Sequence, residues 1–201
     1  MSVKKYLVEY CHRKEIKNFI ETWHYSKNIN GVISDHCFKL MDEKKMIGAM
    51  IYGRIAMANV WKKYVENEKD LIELRRLCCV DDTPKNTESY FIGFTLRWLQ
   101  KNSQIKKVIS YADETYNHSG TIYKASNFKN LGMTAKGKVI VYNNKLYHDK
   151  TIRTKYKGKI KPYCQRIKNA LEEGTAYYKN TLGKHIYMYE LKQQEGRKYE
   201  R

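Results

Sequence analysis

The sequence predicts an α/β fold in which helices flank a central mixed sheet, with a basic extension at the C-terminal end. Two observations support this prediction. Apolar runs of strand length alternate with stretches of helical periodicity, and only two prolines interrupt the 201 residues. The length suits one ordinary domain. We therefore expect residues 1–150 to form the main domain and residues 151–201 a basic extension continuous with it.

The first half of the chain predicts a helix, a hairpin and a strand. One helix face is indicated by four apolar residues at helical spacing, Ile16, Phe19, Ile20 and Trp23. This helix should end near His24. Apolar runs at residues 37–41 and 46–52 flank a polar turn, which is typical of a β-hairpin. Residues 71–80 predict a further strand.

The second half of the chain begins with a predicted helix, followed by a strand and a second helix. A helix should start at the cap Thr87-Glu88-Ser89 and end near Lys101. Residues 108–112 predict a strand. A second helix should carry Ile122, Ala125 and Phe128 and close at Leu131-Gly132. This alternation of strand and helix favours a mostly parallel sheet.

Three short elements complete the expected order. Residues 139–142 and 146–147 predict a second hairpin around an Asn-Asn turn. Residues 167–171 predict a short helix, and residues 186–191 an edge strand. The five cysteines show no metal-binding spacing and sit mostly in apolar runs, so we expect reduced, buried thiols.

Charge points to a polyanionic partner. Lys and Arg number 39 against 21 Asp and Glu, a net charge of +18, which favours binding to phosphates. Basic residues are densest at residues 145–168, where tyrosines interleave with them, as suits nucleic acid. A solvated lysine-rich surface is the alternative interpretation. No apolar stretch approaches the roughly 20 residues that span a bilayer, and the N-terminal residues lack a signal-peptide core.

Polar side chains cluster after the strand at residues 108–112. Asp113 follows this strand directly, at the sheet edge where α/β sites form. The alternative is a turn-forming Asp that caps the next helix. Further polar residues surround it in sequence: Ser110, Tyr111, Asn117, His118, Ser119, Tyr123 and Asn127. They predict a polar pocket.

Three other positions carry a candidate function beside a structural alternative. His24 closes the first helix, where an imidazolium would also suit the helix dipole. Arg75 and Arg76 interrupt an apolar strand, so one of them should point inward and need an anion or a carboxylate. Ser89 and its neighbours open a helix that offers backbone N–H groups to a phosphate, as every capped helix does.

Two motifs resemble known families. "IYKASNFKNLG" resembles the late helix of GNAT acetyltransferases. "WHYSK" at residues 23–27 and "YADETYNHSGTIYKASNF" at residues 111–128 resemble the phage Mom family of DNA adenine-modifying proteins. The resemblance covers residues 15–138. It implies that residues 1–150 form a GNAT-like catalytic domain.

The resemblance implies transfer of a carbamoylmethyl group to adenine N6, which protects phage DNA from restriction in the host cytoplasm. It also implies acetyl-CoA and iron. The matching catalytic residues are His24, Tyr25, Asp113 and Tyr123, and the cofactor side would hold Arg75, Ser89 and Asn127. The Gly-rich CoA turn of GNAT enzymes is replaced here by "VDDTPKNTESYFIG".

On this basis Asp113 would accept the N6 proton or position the amine of a flipped base, with Tyr25 and Tyr123 bonding or stacking against it. Alternatively, His24, Asp113 and a tyrosine would ligate iron. Two rival functions remain open: a GNAT N-acetyltransferase acting on RNA, protein or a small amine, and a non-catalytic basic DNA-binding protein. No pattern indicates an obligate protein partner or a membrane.

Overall fold

The computed structural model describes residues 3–116 and 118–192. Asn117 of the expected polar pocket and residues 193–201 of the expected extension lie outside the described residues. The described helices are α1 (Arg13–Trp23), α2 (Thr87–Asn102), α3 (Thr121–Ala125) and α4 (Pro162–Glu172). The described strands are β1 (Leu7–Cys11), β2 (His36–Asp42), β3 (Lys45–Gly53), β4 (Leu71–Cys79), β5 (Lys107–Asp113), β6 (Lys129–Met133), β7 (Gly137–Tyr142), β8 (Lys145–His148), β9 (Lys155–Tyr156), β10 (Lys159–Ile160), β11 (Tyr177–Thr181) and β12 (Lys184–Glu190).

The chain divides into two compact units. Unit 1 comprises Met1–Ala112, Gly120–Gly132 and Ile186–Arg201, and unit 2 comprises Asp113–Ser119 and Met133–His185. The expected boundary at residue 150 stays a prediction.

A seven-stranded mixed sheet has the order β1-β2-β3-β4-β5-β12-β6. β1 to β4 pair antiparallel in sequence order, and β4 pairs with β5 in parallel. The expected mixed sheet flanked by helices is confirmed, but the expectation of a mostly parallel sheet is wrong. A parallel neighbour needs a long crossover. α2 supplies one between β4 and β5, whereas a tight turn joins β2 to β3.

In unit 1, α1 and α2 each pack against the sheet through a separate apolar cluster. α1 buries Ile16 and Ile20 completely, in a cluster with Ala49 and Ile51 of β3. α2 packs in another cluster, with Phe91, Ile92, Leu96 and Leu99 among Phe38, Leu40 and Tyr52. Neighbouring residues of β3 thus belong to different clusters, as the alternation of a strand requires. The expected helix before His24 and the expected hairpin are confirmed.

Two expected elements differ from the structure. α3 ends at Ala125, because Asn127 adopts a left-handed φ of 62° and the chain then enters β6, which contains Leu131 and Gly132. The expected longer helix is therefore wrong. β12 is also no edge strand, since it lies between β5 and β6. Its consecutive residues Tyr187 and Met188 face opposite sides of the sheet and are buried in different clusters, as in an interior strand.

Unit 2 is built around a three-stranded antiparallel sheet of order β11-β7-β8 and the helix α4. Ile140 of β7 packs with Ile167 and Ala170 of α4. The second expected hairpin is confirmed. α4 is longer than expected because Pro162 opens it at the first helical position, where the missing N–H costs nothing.

The five cysteines are free thiols, four of them buried and Cys79 half-buried. This confirms the expected burial for four of them, and the reduced state stays a prediction. Within residues 3–116 and 118–192, no helix is long and apolar enough to cross a bilayer.

Candidate active site

The parallel strands of unit 1 part near Leu74. β4 and β5 pair from Leu71 to Glu73, while β4 continues to Cys79. Beyond the paired segment, the Ser110 hydroxyl donates to the Leu74 carbonyl oxygen at 3.1 Å. The β3–β4 register shifts at the same level, and Arg75 is the extra residue. Such bulges re-aim side chains next to active sites.

Arg75 forms a buried ion pair with a carboxylate, as expected for an inward-pointing arginine of this strand, but its partner was not predicted from the sequence. Its Nε lies 3.5 Å from Oε1 of Glu73, and both side chains are 11% exposed. One guanidinium nitrogen donates to the Arg54 carbonyl oxygen at 2.8 Å, and the Ala56 N–H donates to Glu73 at 3.1 Å. Arg75 Nε is buried without a hydrogen-bond acceptor among the described residues. Glu73 in an apolar strand, two residues before Arg75, was the available signal for this pair.

Arg76 ties β4 to the loop after α1. Its Nε and Nη2 donate to the Asn28 carbonyl oxygen, each at 3.4 Å. Burial lowers the pKa of Arg76, and the nearby Tyr25 opposes this shift. The guanidinium therefore lies beside one of the predicted catalytic tyrosines.

Tyr123 of α3 is a buried phenol at the point where the strands part. Burial raises the pKa of Tyr123 to about 12, and nearby Tyr25 and Glu73 also raise it. A side-chain hydrogen bond with Ser110 acts in the opposite direction. The Tyr123 ring lies 5.2 Å from that of Tyr187. The hydroxyl is thus protonated at neutral pH.

His24 and Tyr25 form the second part of the cluster. His24 is buried, and its ring centroid lies 4.2 Å from that of Tyr25. The Ser26 N–H donates to His24 Nδ1 at 3.1 Å. Nδ1 must therefore be the acceptor, which leaves the proton of the neutral ring on Nε2. Tyr25 is 45% exposed and offers an aromatic face to a ligand.

Ser89 and Asn127, which were expected on the cofactor side, both lie at helix termini. The Ser89 hydroxyl donates to the Asn86 carbonyl oxygen at 3.0 Å in the first turn of α2. The expected cap at Thr87 is wrong, because Asn86 is the N-cap and its side chain makes no cap hydrogen bond. Asn127 closes α3. The predicted cofactor roles of both residues stay predictions.

Asp113 lies in unit 2 and is held by two groups of that unit. Lys184 Nζ lies 2.9 Å from its Oδ2, and the Thr115 N–H donates to Oδ1 at 3.1 Å. Burial raises the pKa of Asp113, but Lys184 and Thr115 outweigh it and keep the pKa below its usual 3.8. The N–H contact is an Asx turn, which agrees with the turn-forming alternative.

Comparison with known proteins settles the family. The model of the Mom protein family matches residues 5–201. The chain belongs to the Mom protein family. Among curated proteins it is similar to the methylcarbamoylase Mom of Escherichia phage Mu, with 26% identity over 145 residues. The match covers 71% of this chain but 59% of that relative, so the chain spans less than two thirds of the relative's length.

Solved structures show the fold of this Mom family member. A Bacillus subtilis acetyltransferase in complex with CoA matches with a TM-score of 0.53 and 10% identity, covering 93% of this chain and 99% of that chain. A spermidine N-acetyltransferase of Vibrio cholerae matches with a TM-score of 0.52 and 9% identity, covering 94% and 95%. At such identities the likeness shows the fold alone. The GNAT-like fold is confirmed.

The iron that the Mom family resemblance implied does not fit the donors present. In the part of the chain that the structure describes, no three His, Cys, Asp or Glu residues group to hold a metal. A metal ion needs several ligand atoms that converge on one position. The Asp113 carboxylate instead forms an ion pair with Lys184 and accepts a hydrogen bond from Thr115. The expected iron ligation by His24 and Asp113 is therefore not supported.

The ion pair of Asp113 predicts a pH-dependent stability. Because its folded pKa is depressed, its contribution is present above the unfolded value and is lost as pH falls through the folded pKa. We expect Lys184→Met to raise the Asp113 pKa and to lower the melting temperature at neutral pH. This difference should shrink as the pH falls below the usual carboxyl range. Carboxyl NMR titration and thermal melts measure both effects, with the exposed Lys179→Met as control. An unchanged Asp113 pKa would contradict the assignment.

Proposed function

We propose that this chain is a DNA-modifying enzyme that transfers a carbamoylmethyl-type group to N6 of adenine in DNA. Membership of the Mom family carries this proposal, together with the similarity to a phage methylcarbamoylase. The net charge of +18 suits a DNA substrate. Modified adenines would protect phage DNA from restriction in the host cytoplasm.

The residues of unit 1 suit recognition of an extruded base. Adenine N6 is paired and stacked in a duplex, so an enzyme must flip the base out to reach it. Tyr25 offers an exposed ring for stacking. Tyr123 offers a hydroxyl that stays protonated. Because Ser110 donates its own proton to Leu74, the Tyr123 proton is bonded to Ser110, and the phenol oxygen can accept a hydrogen bond from the N6 amine. His24, fixed beside Tyr25 by Ser26, orients that tyrosine.

Asp113 takes a role that follows from its charge. A carboxylate whose pKa lies below the usual range is a poor proton acceptor at neutral pH but a good hydrogen-bond acceptor. Of the two expected roles, positioning an amine is therefore favoured over accepting its proton.

Acetyl-CoA is the cofactor that suits the first turn of α2 and Arg75. The first turn of a helix presents backbone N–H groups to phosphates, and here Asn86, at φ 73°, leaves this turn without a side-chain cap. Asn86 thus adopts a conformation usually supplied by glycine. Arg75 Nε is ion-paired with Glu73 at 3.5 Å but makes no hydrogen bond among the described residues. Acetyl-CoA held by these residues would present an acetyl thioester, the carbon source of the group.

Mass spectrometry of nucleosides tests the proposal. DNA from cells expressing the chain should yield a deoxyadenosine enlarged by one carbamoylmethyl group, absent from cells with the empty vector. Unaltered deoxyadenosine together with acetylation of RNA, protein or a small amine would instead establish an N-acetyltransferase. Unaltered nucleosides with tight DNA binding would establish a non-catalytic binding protein. Digestion of the same DNA with restriction enzymes measures protection independently.

A further inference from the structure

A short β-ribbon in unit 2 concentrates positive charge. β9 and β10 pair antiparallel, with Tyr156 opposite Lys159. Lys157 and Gly158 join them, both with positive φ, at 49° and 78°. This is the geometry of a tight two-residue hairpin turn. Residues 155–161 read KYKGKIK, four lysines in seven residues.

One face of this ribbon is cationic around an aromatic ring. Residues opposite one another, and residues two apart, share a face of a strand pair. Tyr156, Lys159 and Lys161 therefore lie on the same face. Lys161 Nζ lies 5.3 Å and Lys157 Nζ 5.8 Å from the Tyr156 ring centroid, and Tyr156 is 61% exposed. The ring holds two ammonium groups in place by cation–π attraction.

The charge of the ribbon is not balanced within the described structure. None of the ion pairs formed among residues 3–116 and 118–192 involves Lys155, Lys157, Lys159 or Lys161. Unit 2 as a whole contains thirteen Lys and Arg against five Asp and Glu. Like charges in close contact oppose folding of a short hairpin. A polyanion with regularly spaced charges would neutralise these lysines and remove their repulsion.

Duplex DNA matches the ribbon in both shape and charge. The major groove of B-DNA accepts a two-stranded β-ribbon, and phosphates line both of its sides. Lysine contacts to phosphates fix the position of a protein without reading sequence. A tyrosine among them can donate its hydroxyl to a phosphate oxygen.

We propose that the ribbon of residues 155–161 is a duplex-DNA docking element, with its strands in a groove and Lys157, Lys159 and Lys161 on phosphates. The choice of DNA as the polyanion rests on the proposed function. The ribbon holds the substrate and takes no part in group transfer.

Salt dependence of DNA binding tests this docking. Each phosphate contact contributes about 0.9 to the slope of log K against log salt concentration. Lys→Gln at positions 155, 157, 159 and 161 should reduce that slope by about two to four for a short duplex. The matched control removes four exposed lysines of unit 1, Lys14, Lys17, Lys44 and Lys45. It lowers the net charge equally but should keep the slope within about one.

Three outcomes would overturn the docking element. The first is an unchanged salt slope in the ribbon variant, and the second is an equal loss of slope in the ribbon and control variants. The third is a loss of slope with single-stranded DNA but not with duplex DNA. Replacement of the same four lysines by arginine should retain the slope, which separates charge from misfolding. Nucleoside analysis of wild-type chain is a separate readout. If the wild type modifies adenine while the ribbon variant keeps the salt slope of DNA binding, the docking proposal is wrong and the proposed function stands. If the ribbon variant loses slope but no nucleoside is modified, the proposed function fails instead.

Discussion

Tyr123→Phe is expected to reduce the yield of modified adenine at least about 100-fold while the protein stays folded. Loss of one preorganised hydrogen bond at the reacting group costs roughly 10²–10³ in rate, and this substitution removes only the hydroxyl oxygen. Its structural cost is the side-chain hydrogen bond with Ser110, about 1 kcal/mol. The ring contacts with Tyr187 and Phe128 remain.

Tyr52→Phe is the matched control. Tyr52 is also a fully buried tyrosine of unit 1, and its hydroxyl lies 2.8 Å from that of Thr95. Its loss should cost a similar amount of stability and leave activity within about threefold, since less than 1 kcal/mol of barrier is at stake. Single-turnover yields by mass spectrometry and urea unfolding measure the two quantities. Equal activity of both variants would remove Tyr123 from the proposed site.

Gly120→Ala should destabilise the protein by about 2–4 kcal/mol. Gly120 precedes α3 with φ +77°, and a Cβ there would lie 2.2 Å from Cε2 of Tyr187. Tyr187 is fully buried and cannot move aside without disturbing the core. Its ring packs against Tyr123, so we also expect a loss of activity larger than the loss of stability alone explains.

Gly31→Ala separates the two causes of that destabilisation. Gly31 is also in unit 1 and has a similar φ of +72°, but a Cβ there would meet nothing within 4 Å. Its substitution should therefore cost only the backbone strain, about 1 kcal/mol. Urea unfolding of both variants gives the comparison. Equal costs would show that the Tyr187 ring does not oppose a side chain at position 120.

Features that depend on residues close together in the chain follow from the sequence alone. Periodicity correctly predicted α1, the β2–β3 hairpin and β4, because the side chains of one face recur at fixed intervals along the chain. The motifs at residues 23–27 and 111–128 led to the right family. The predicted catalytic roles of His24, Tyr25, Asp113 and Tyr123 remain predictions.

How distant segments meet is visible only in the folded chain. It placed β12 inside the sheet, paired Glu73 with Arg75 through a bulge, and brought the Tyr123 hydroxyl to Ser110. It also ended α3 early, where Phe128 turns into the core beside Tyr123. Periodicity records which face of an element is apolar. The neighbour that covers this face is chosen by packing between residues far apart in the chain, and a local pattern contains no information about that choice.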